Sequence, residues 1–325
     1  MNKTLPALLL LGAFSAAASA QTNVTVYGLL DIGVTSEQGG PDGSKVTLGS
    51  GIQSGSRLGF KGSEDLGGGL AAIFTVENGF NPDDGTQGQG RLFGRQVFVG
   101  LQGGFGTVTA GRQYTPLWSA IDSLDPVDGI AGGSHNLMRR DVRTDNTVRY
   151  ASPKLNGFSG ELAYSLGEVA GNSAASRILG AGLAYANGPL IVKLAHQSKN
   201  NVTDTDRSKS TYLGGSYNFG IVKALLGYEA NKGVGAIDDQ VAVVGAIVPF
   251  GASTVMLSYT RKSDKSAAND DASQIALAYT YALSKRTNLY SSYTRINNEN
   301  TLVSRTRTGD GSGDREFNVG IRHKF

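Results

Sequence analysis

The sequence predicts an all-β protein, a 16-stranded antiparallel barrel that crosses a membrane with strands. Apolar residues recur with period two along most of the chain, and tight turns alternate with long polar connections. After the N-terminus no uncharged apolar run reaches the roughly 18 residues that a membrane-spanning helix needs. Composition agrees. Gly supplies 46 of 325 residues, about twice ordinary usage, with only 8 Pro. Gly keeps no three-residue period, which excludes a collagen-like chain, and 39% apolar residues with 13 Tyr and 12 Phe exclude a disordered one.

The first segment is a leader. Lys3 supplies positive charge, Leu5 to Phe14 an apolar stretch, and Ala18-Ser19-Ala20 a small-residue cleavage site. Residues 1–20 are therefore expected to be a signal peptide, leaving one domain over 21–325. The apolar stretch is too short to serve as a membrane anchor.

From Val24 onward each segment has one oily face. Val24, Val26, Leu30, Ile32 and Val34 alternate with Thr25, Tyr27, Asp31 and Thr35, and the pattern returns at Leu70 to Val76, Phe158 to Leu166, Leu179 to Tyr185, Val222 to Tyr228, Val255 to Tyr259, Ile275 to Tyr281 and Phe317 to Phe325. The opposite faces carry Glu77, Lys193, Lys223, Glu229, Gln274, Thr280, Asn318 and Arg322, and these faces are expected to be wet.

Gly103-Gly104-Phe105-Gly106, Asn187-Gly188-Pro189, Asn218-Phe219-Gly220, Phe250-Gly251-Ala252 and Ser284-Lys285-Arg286 carry tight-turn chemistry. Between them lie longer polar stretches: Ser36 to Gly51, Asn81 to Gly90, Asn200 to Ser208, Ser263 to Asp271 and Asn297 to Asp314. One end of the molecule is expected to be all turns and the other all loops. A soluble sandwich shares the alternation but not this asymmetry, and its strands are shorter. Phe105, Phe158, Phe219, Phe250, Tyr281 and Phe325 all sit beside short turns or at the chain end, where an interfacial girdle belongs.

Charge and cysteine usage narrow the function. Thirty Lys and Arg against 27 Asp and Glu give +3, too balanced for nucleic-acid binding through counterion release. With no Cys there are no thiolate metal sites or disulfides. A catalytic barrel would need a base beside a nucleophile or an activated water. His135, His196 and His323 are the only histidines, and no Gly-x-Ser-x-Gly turn or His-Glu-x-x-His pair accompanies them. By parity His196 and His323 belong on the outer face. Asp204-Thr-Asp206 and Asp310-Gly-Ser-Gly-Asp314 offer oxygen ligands without an EF-hand frame and are read as exposed loops. No enzyme activity, cofactor or metal is expected.

Val24-Thr-Val-Tyr-Gly-Leu-Leu-Asp31, Ser56-Arg-Leu-Gly-Phe-Lys-Gly-Ser-Glu-Asp-Leu-Gly67, Gly94-Arg-Gln-Val-Phe-Val-Gly-Leu101, Gly106-Thr-Val-Thr-Ala-Gly-Arg-Gln113, Asn146-Thr-Val-Arg-Tyr-Ala-Ser-Pro153 and Gly320-Ile-Arg-His-Lys-Phe325 resemble the general porins of Gram-negative β-proteobacteria. The resemblance spans essentially the whole mature chain. It implies a 16-stranded barrel, a homotrimer, an outer-membrane location among lipid and lipopolysaccharide, and passive diffusion of small hydrophilic solutes and ions. It also implies that Phe325 is read by the outer-membrane insertion machinery.

In such porins the third loop folds into the channel, and the corresponding stretch is Tyr114 to Thr144. It carries Asp122, Asp125 and Asp128, then Arg139, Arg140, Asp141 and Arg143. Facing it, the resemblance places a basic ladder at Arg57, Arg95 and Arg149. Parity supports two of them, since Leu58 and Phe60, and Val148 and Tyr150, take the lipid face. Arg95 shares parity with Val97, Val99 and Leu101, so either Phe98 faces out or the strand holds a bulge. Arg112 is a weaker candidate, as a rim anchor or a contact between subunits. Arg139, Arg140 and Arg143 are weak candidates too, expected to pair with the aspartates. The ladder predicts a modest preference for anions, and a substrate-specific channel is the alternative.

Overall fold

The computed structural model describes residues 23–40, 43–127, 129–138, 141–298, 305–306, 309–310 and 313–325. The expected signal peptide, Asp128, Arg139 and Arg140 lie outside these residues. The strands are β1 (Asn23–Gly40), β2 (Gly43–Ser50), β3 (Arg57–Gly67), β4 (Leu70–Gly79), β5 (Gln96–Gly103), β6 (Gly106–Tyr114), β7 (Arg143–Ala151), β8 (Phe158–Ser165), β9 (Ile178–Asn187), β10 (Leu190–Asn200), β11 (Arg207–Asn218), β12 (Lys223–Gly233), β13 (Ile237–Phe250), β14 (Ser253–Asp264), β15 (Ala272–Ala282) and β16 (Thr287–Asn298). A small hairpin, β17 (Arg305–Thr306) and β18 (Gly309–Asp310), precedes the last strand, β19 (Gly313–Lys324).

Antiparallel pairing runs from each strand to the next around the sheet, and β19 closes the ring on β1, with Leu29 opposite Lys324 and Thr35 opposite Asn318. The main sheet has 17 strands but 16 staves, because β2 and β3 are successive halves of one stave. Both pair with β1, in registers that differ: Ile32 faces Ser50 while Leu29 faces Arg57. The extra residues, Gly51 to Ser56, fold inward over Asp31. The Asp31 carboxylate accepts hydrogen bonds from the backbone N–H groups of Gln53 at 2.9 Å and Ser54 at 2.6 Å, and from the Tyr290 hydroxyl at 2.6 Å. A buried carboxylate with charge-assisted partners of this kind pins an irregular backbone that no ladder could hold.

Alternation sets the two faces. Val24, Val26, Leu30 and Val34 on β1, Leu58 and Phe60 on β3, Leu257 and Tyr259 on β14, and Phe317, Val319 and Ile321 on β19 all point out and are exposed. The outward row turns apolar side chains to the only solvent in which they are cheap, the lipid. The six turn-end aromatics Phe105, Phe158, Phe219, Phe250, Tyr281 and Phe325 are exposed as a girdle requires. His196 and His323 face outward as parity predicts, each hydrogen-bonded through Nδ1 at 2.8 Å, to Thr211 and Thr287 respectively. Phe325 closes the ring. Its backbone pairs with Gly28 in both directions, at 3.0 and 3.1 Å, and its ring lies where a Cβ of residue 28 would be, so only glycine fits there.

Two expectations about the strands change. Ser36 to Gly51 is not a loop: β1 continues to Gly40 and β2 starts at Gly43. Its polar residues Glu37, Lys45 and Thr47 alternate with outward Val46 and Leu48, and half of any barrel strand is polar because it faces inward. Second, the inner faces are not uniformly wet. Glu229, Gln274 and Asn318 point inward but are buried, because much of the lumen is filled by the segment between β6 and β7.

Candidate functional site

That segment, Thr115 to Val142, is the third long loop; Tyr114, Arg143 and Thr144, expected within it, belong to the flanking strands. It enters the lumen through a short helix α1 (Pro116–Asp122). Thr115 caps the helix, its Oγ1 accepting from Trp118 N–H at 3.0 Å, and Pro116 takes the first helical position, where no N–H is needed.

The loop has two apolar seats on the wall. Leu117, Ala120, Ile121, Leu124 and Met138 pack on Ala195, Tyr212, Val241 and Val243. Further on, Val127, Ile130 and Ala131 pack with Ile52 on Met256, Ala276, Ala278 and Tyr290. Backbone bonds reinforce the second seat: Ala131 N–H donates to Ile52 O at 3.0 Å, and Ser292 and Thr294 hydroxyls donate to Ala131 O. Gly245 leaves room for the Pro126 ring, which a Cβ would strike. The inward apolar residues of β10 to β16 are thus a dry bed for the loop, and their pattern in the sequence reads as broken alternation.

The opposite wall, β3 to β7, carries the charge. Arg95 Nε donates to Glu77 Oε1 at 2.7 Å, and both side chains are buried. Tyr27 OH donates to Glu77 Oε2 at 3.0 Å. Arg95 Nη2 and Arg143 Nη2 both donate to Tyr114 OH at 2.8 Å, and the Arg143 guanidinium lies 4.4 Å from the Tyr114 ring centroid. Arg57, with its Nε on Gly55 O at 2.9 Å, lies within Coulombic range of Arg95, Glu77, Tyr114 and Arg143. Three guanidinium groups, two of them at strand ends and Arg95 in the bend before β5, therefore converge on one carboxylate, a surplus of two positive charges on the wall.

The sequence-predicted residues divide as follows. Arg57 and Arg95 meet, and Arg143, expected to pair with loop aspartates, joins them. The puzzle over Arg95 has neither of the anticipated solutions: Val97, Val99 and Leu101 do face outward, but β5 starts at Gln96, so Arg95 sits in a bend where strand parity does not apply. Arg149 is engaged elsewhere, its Nη2 2.7 Å from Glu161 Oε2. Asp125 is buried inside the loop, accepting from Val127 and Ser134 N–H groups and lying 3.1 Å from His135 Nδ1, so it staples the loop instead of lining water. Asp122 stays exposed at the end of α1, beside Lys193, whose Nζ donates to Ser123 Oγ at 2.7 Å. Asp141 binds Gln197 and Lys199, each at 2.8 Å. Arg112 is tied to Gly94 O at 2.9 Å and to Asp145 at 2.8 Å, with Arg91 on the other carboxylate oxygen. Glu77 was legible only as one more inward polar residue, and Tyr27 and Tyr114 carried no signal, since a lone tyrosine in a strand says nothing about its partners.

A closed 16-stranded wall, a third loop seated inside it against β10 to β16 and a guanidinium cluster on the opposite wall are the parts of a channel narrowed from within. The family model for Gram-negative porins matches residues 7–301. The chain belongs to that family. It is an outer-membrane porin. Among its relatives, an outer membrane porin protein of Bordetella pertussis and the outer membrane porin protein 32 of Delftia acidovorans are each 34% identical to it, with both chains covered in full. Among solved structures, an anion-selective porin from Comamonas acidovorans superposes with a TM-score of 0.85 at 31% identity, over 94% of this porin and 100% of that chain. The Salmonella typhi OmpF structure, at 18% identity and a TM-score of 0.73 over 93% of this porin and 97% of that chain, shares the fold.

Proposed function

We propose that this porin is an open, water-filled channel through which small hydrophilic solutes and ions diffuse, with a modest preference for anions set by Arg57, Arg95 and Arg143. The observation that carries this reading is the surplus of two positive charges on the wall facing the loop. Fixed cations in a narrow aqueous gap raise the local anion concentration, and low-dielectric walls weaken their screening. The anion-selective name of the Comamonas relative supports it. The test is stepwise current in a planar bilayer, with the zero-current potential read across a KCl gradient. No conductance from folded protein, or a cation-selective potential, would sink the proposal.

The working unit is a homotrimer. Strands β5 to β8 are 8, 9, 9 and 8 residues long. At about 3.4 Å per residue and a tilt near 40°, an eight-residue strand covers roughly 21 Å of the bilayer normal, less than the apolar band of about 25 Å. That low wall, with Val97, Val99, Leu101, Val108 and Val148 exposed, fits a surface covered by protein. Light scattering in mild detergent reads the stoichiometry, and a monomer counts against it. Lipid and lipopolysaccharide surround the assembly, Phe325 is presented to the insertion machinery before closure, and residues 1–20 are removed on export, so N-terminal sequencing of the mature protein should begin at Gln21.

A further inference from the structure

The outer face of β9 to β12 departs from the apolar rule that the rest of the lipid-facing surface keeps. These strands are 10, 11, 12 and 11 residues long, so they stand above the low wall and span the full apolar band. Cross-strand register lays their outward residues out in rows. Leu183, Leu194, Leu213 and Tyr228 form one exposed apolar row. The next row up is Ala181, His196, Thr211 and Ala230, and above it come Leu179, Ser198, Lys209 and Lys232. From Tyr217, beside the turn at Asn218-Phe219-Gly220, to Lys209 is eight residues along β11. That is about 27 Å of strand and about 21 Å of membrane normal at a tilt near 40°. The lysine row therefore stands near the upper edge of an apolar band of about 25 Å, with the His196 row about 5 Å below it.

Three features of these rows do nothing for the barrel. His196 is an ionisable ring on the lipid face, inside the band, where such groups are expensive and mark function. Its Nδ1 lies 2.8 Å from Thr211 Oγ1, and among the described residues its other nitrogen has no partner. Lys209 and Lys232 stand directly opposite each other, both exposed, an arrangement of like charges that costs stability. Asp238 Oδ2, 3.4 Å from Lys232 Nζ, answers one of them, and the Lys209 ammonium has no partner among the described residues. Asp204 and Asp206, in the loop above, bond to the Asn200 side chain and to the Arg207 backbone N–H. Finally, the outer face is hollowed below the lysines by a cavity of about 290 Å³ lined by Leu162, Ala181, Leu183, Leu194 and His196 among others. Gly160 and Ala181 open it, since their neighbours in the same outward rows carry leucine.

We infer that β9 to β12 carry a binding site for the phosphorylated glycolipid of the outer leaflet, lipopolysaccharide. Lys209 and Lys232 hold a phosphate between them, His196, Thr211 and Ser198 meet sugar hydroxyls, and an acyl chain lies in the hollow. The loop end of a barrel faces the cell exterior, so the leaflet at this height is the outer one. A phosphate between the two ammonium groups turns their repulsion into two charge-assisted contacts. Only a lipid brings an anion, hydrogen-bonding groups and an apolar chain to the wall in that vertical order. This assignment takes the lipopolysaccharide surround of the proposed function as given and goes beyond it by naming the side chains that hold one molecule.

The probe is bis-phosphorylated lipid A, added to delipidated porin in a neutral detergent beside its dephosphorylated form, with bound lipid counted by native mass spectrometry. A basic side chain near an anionic lipid surface is worth about fivefold in affinity. Lys209→Gln with Lys232→Gln should therefore weaken the phosphorylated form roughly 25-fold and leave the dephosphorylated form unchanged. Lys154→Gln, which removes an exposed lysine from the turn end, should change neither. Ala181→Phe fills the hollow and should weaken both forms alike. A wild type that holds the two forms equally, or a double variant as tight as wild type, would overturn the site. A benzophenone side chain at position 183, with both lysines kept, should cross-link to lipid A from a mixture with phosphatidylethanolamine, and adducts to the phospholipid alone would overturn it as well. Binding is read without current, so the channel reading stands or falls by its own measurement.

Discussion

Arg57→Gln isolates the electrostatic contribution of the constriction. Arg57 is the guanidinium least tied to the cluster, with its hydrogen bond going to Gly55 O, whereas Arg95 is locked to Glu77 and Tyr114. Its loss leaves the fold intact and lowers the local surplus from two charges to one. For a monovalent ion passing about 7 Å away in water with a Debye length of about 10 Å, two charges stabilise an anion by about 0.6 kcal/mol and one charge by about 0.3 kcal/mol. Cations are disfavoured by the same amounts, so the anion-to-cation ratio falls from about 7 to about 3. Across a tenfold KCl gradient the zero-current potential should drop from about 40 mV to about 20 mV in magnitude, without a change of sign. Single-channel conductance of the same preparation shows that the pore is otherwise unaltered. An unchanged potential would mean that passing ions do not sample the field of this cluster, and the assignment of the selecting residues would fail.

Arg149 and Glu161 neutralise each other at 2.7 Å, so the double substitution Arg149→Gln with Glu161→Gln should leave the zero-current potential where it is in wild type; a shift comparable to that of Arg57→Gln would show that this pair also selects. Leu117 is buried in the first seat of the third loop, and Leu117→Ala should cost the loop about 2–5 kcal/mol of anchorage. The expected readout is noisier open-channel current from a barrel that still resists detergent, and quiet traces from the variant would refute the seat. Gly28→Ala places a methyl group where the Phe325 ring lies; overpacking of that kind costs about 1–3 kcal/mol, and the folded barrel should unfold at a lower temperature on heat-modifiability gels.

The barrel was legible in the sequence because one rule, alternation against lipid, is repeated in every strand and needs no knowledge of partners. Val24 to Val34, Ile275 to Tyr281 and Phe317 to Phe325 each declare an outward face, and the turn-end aromatics declare which end is which. Parity alone turned Arg57 and Arg149 inward. It could not say what they meet. That Arg143 leaves the loop to stack on Tyr114, that Arg149 is taken by Glu161 and that Asp125 is consumed by His135 are settled by side chains brought together from distant strands, where the nearest available partner wins. The same holds for the dry bed of Val241, Val243, Met256 and Ala276: their inward apolar side chains look like lapses in the pattern until the third loop covers them. Periodicity records which face a residue takes; which charges remain unneutralised in the channel depends on contacts that only closure of the ring creates.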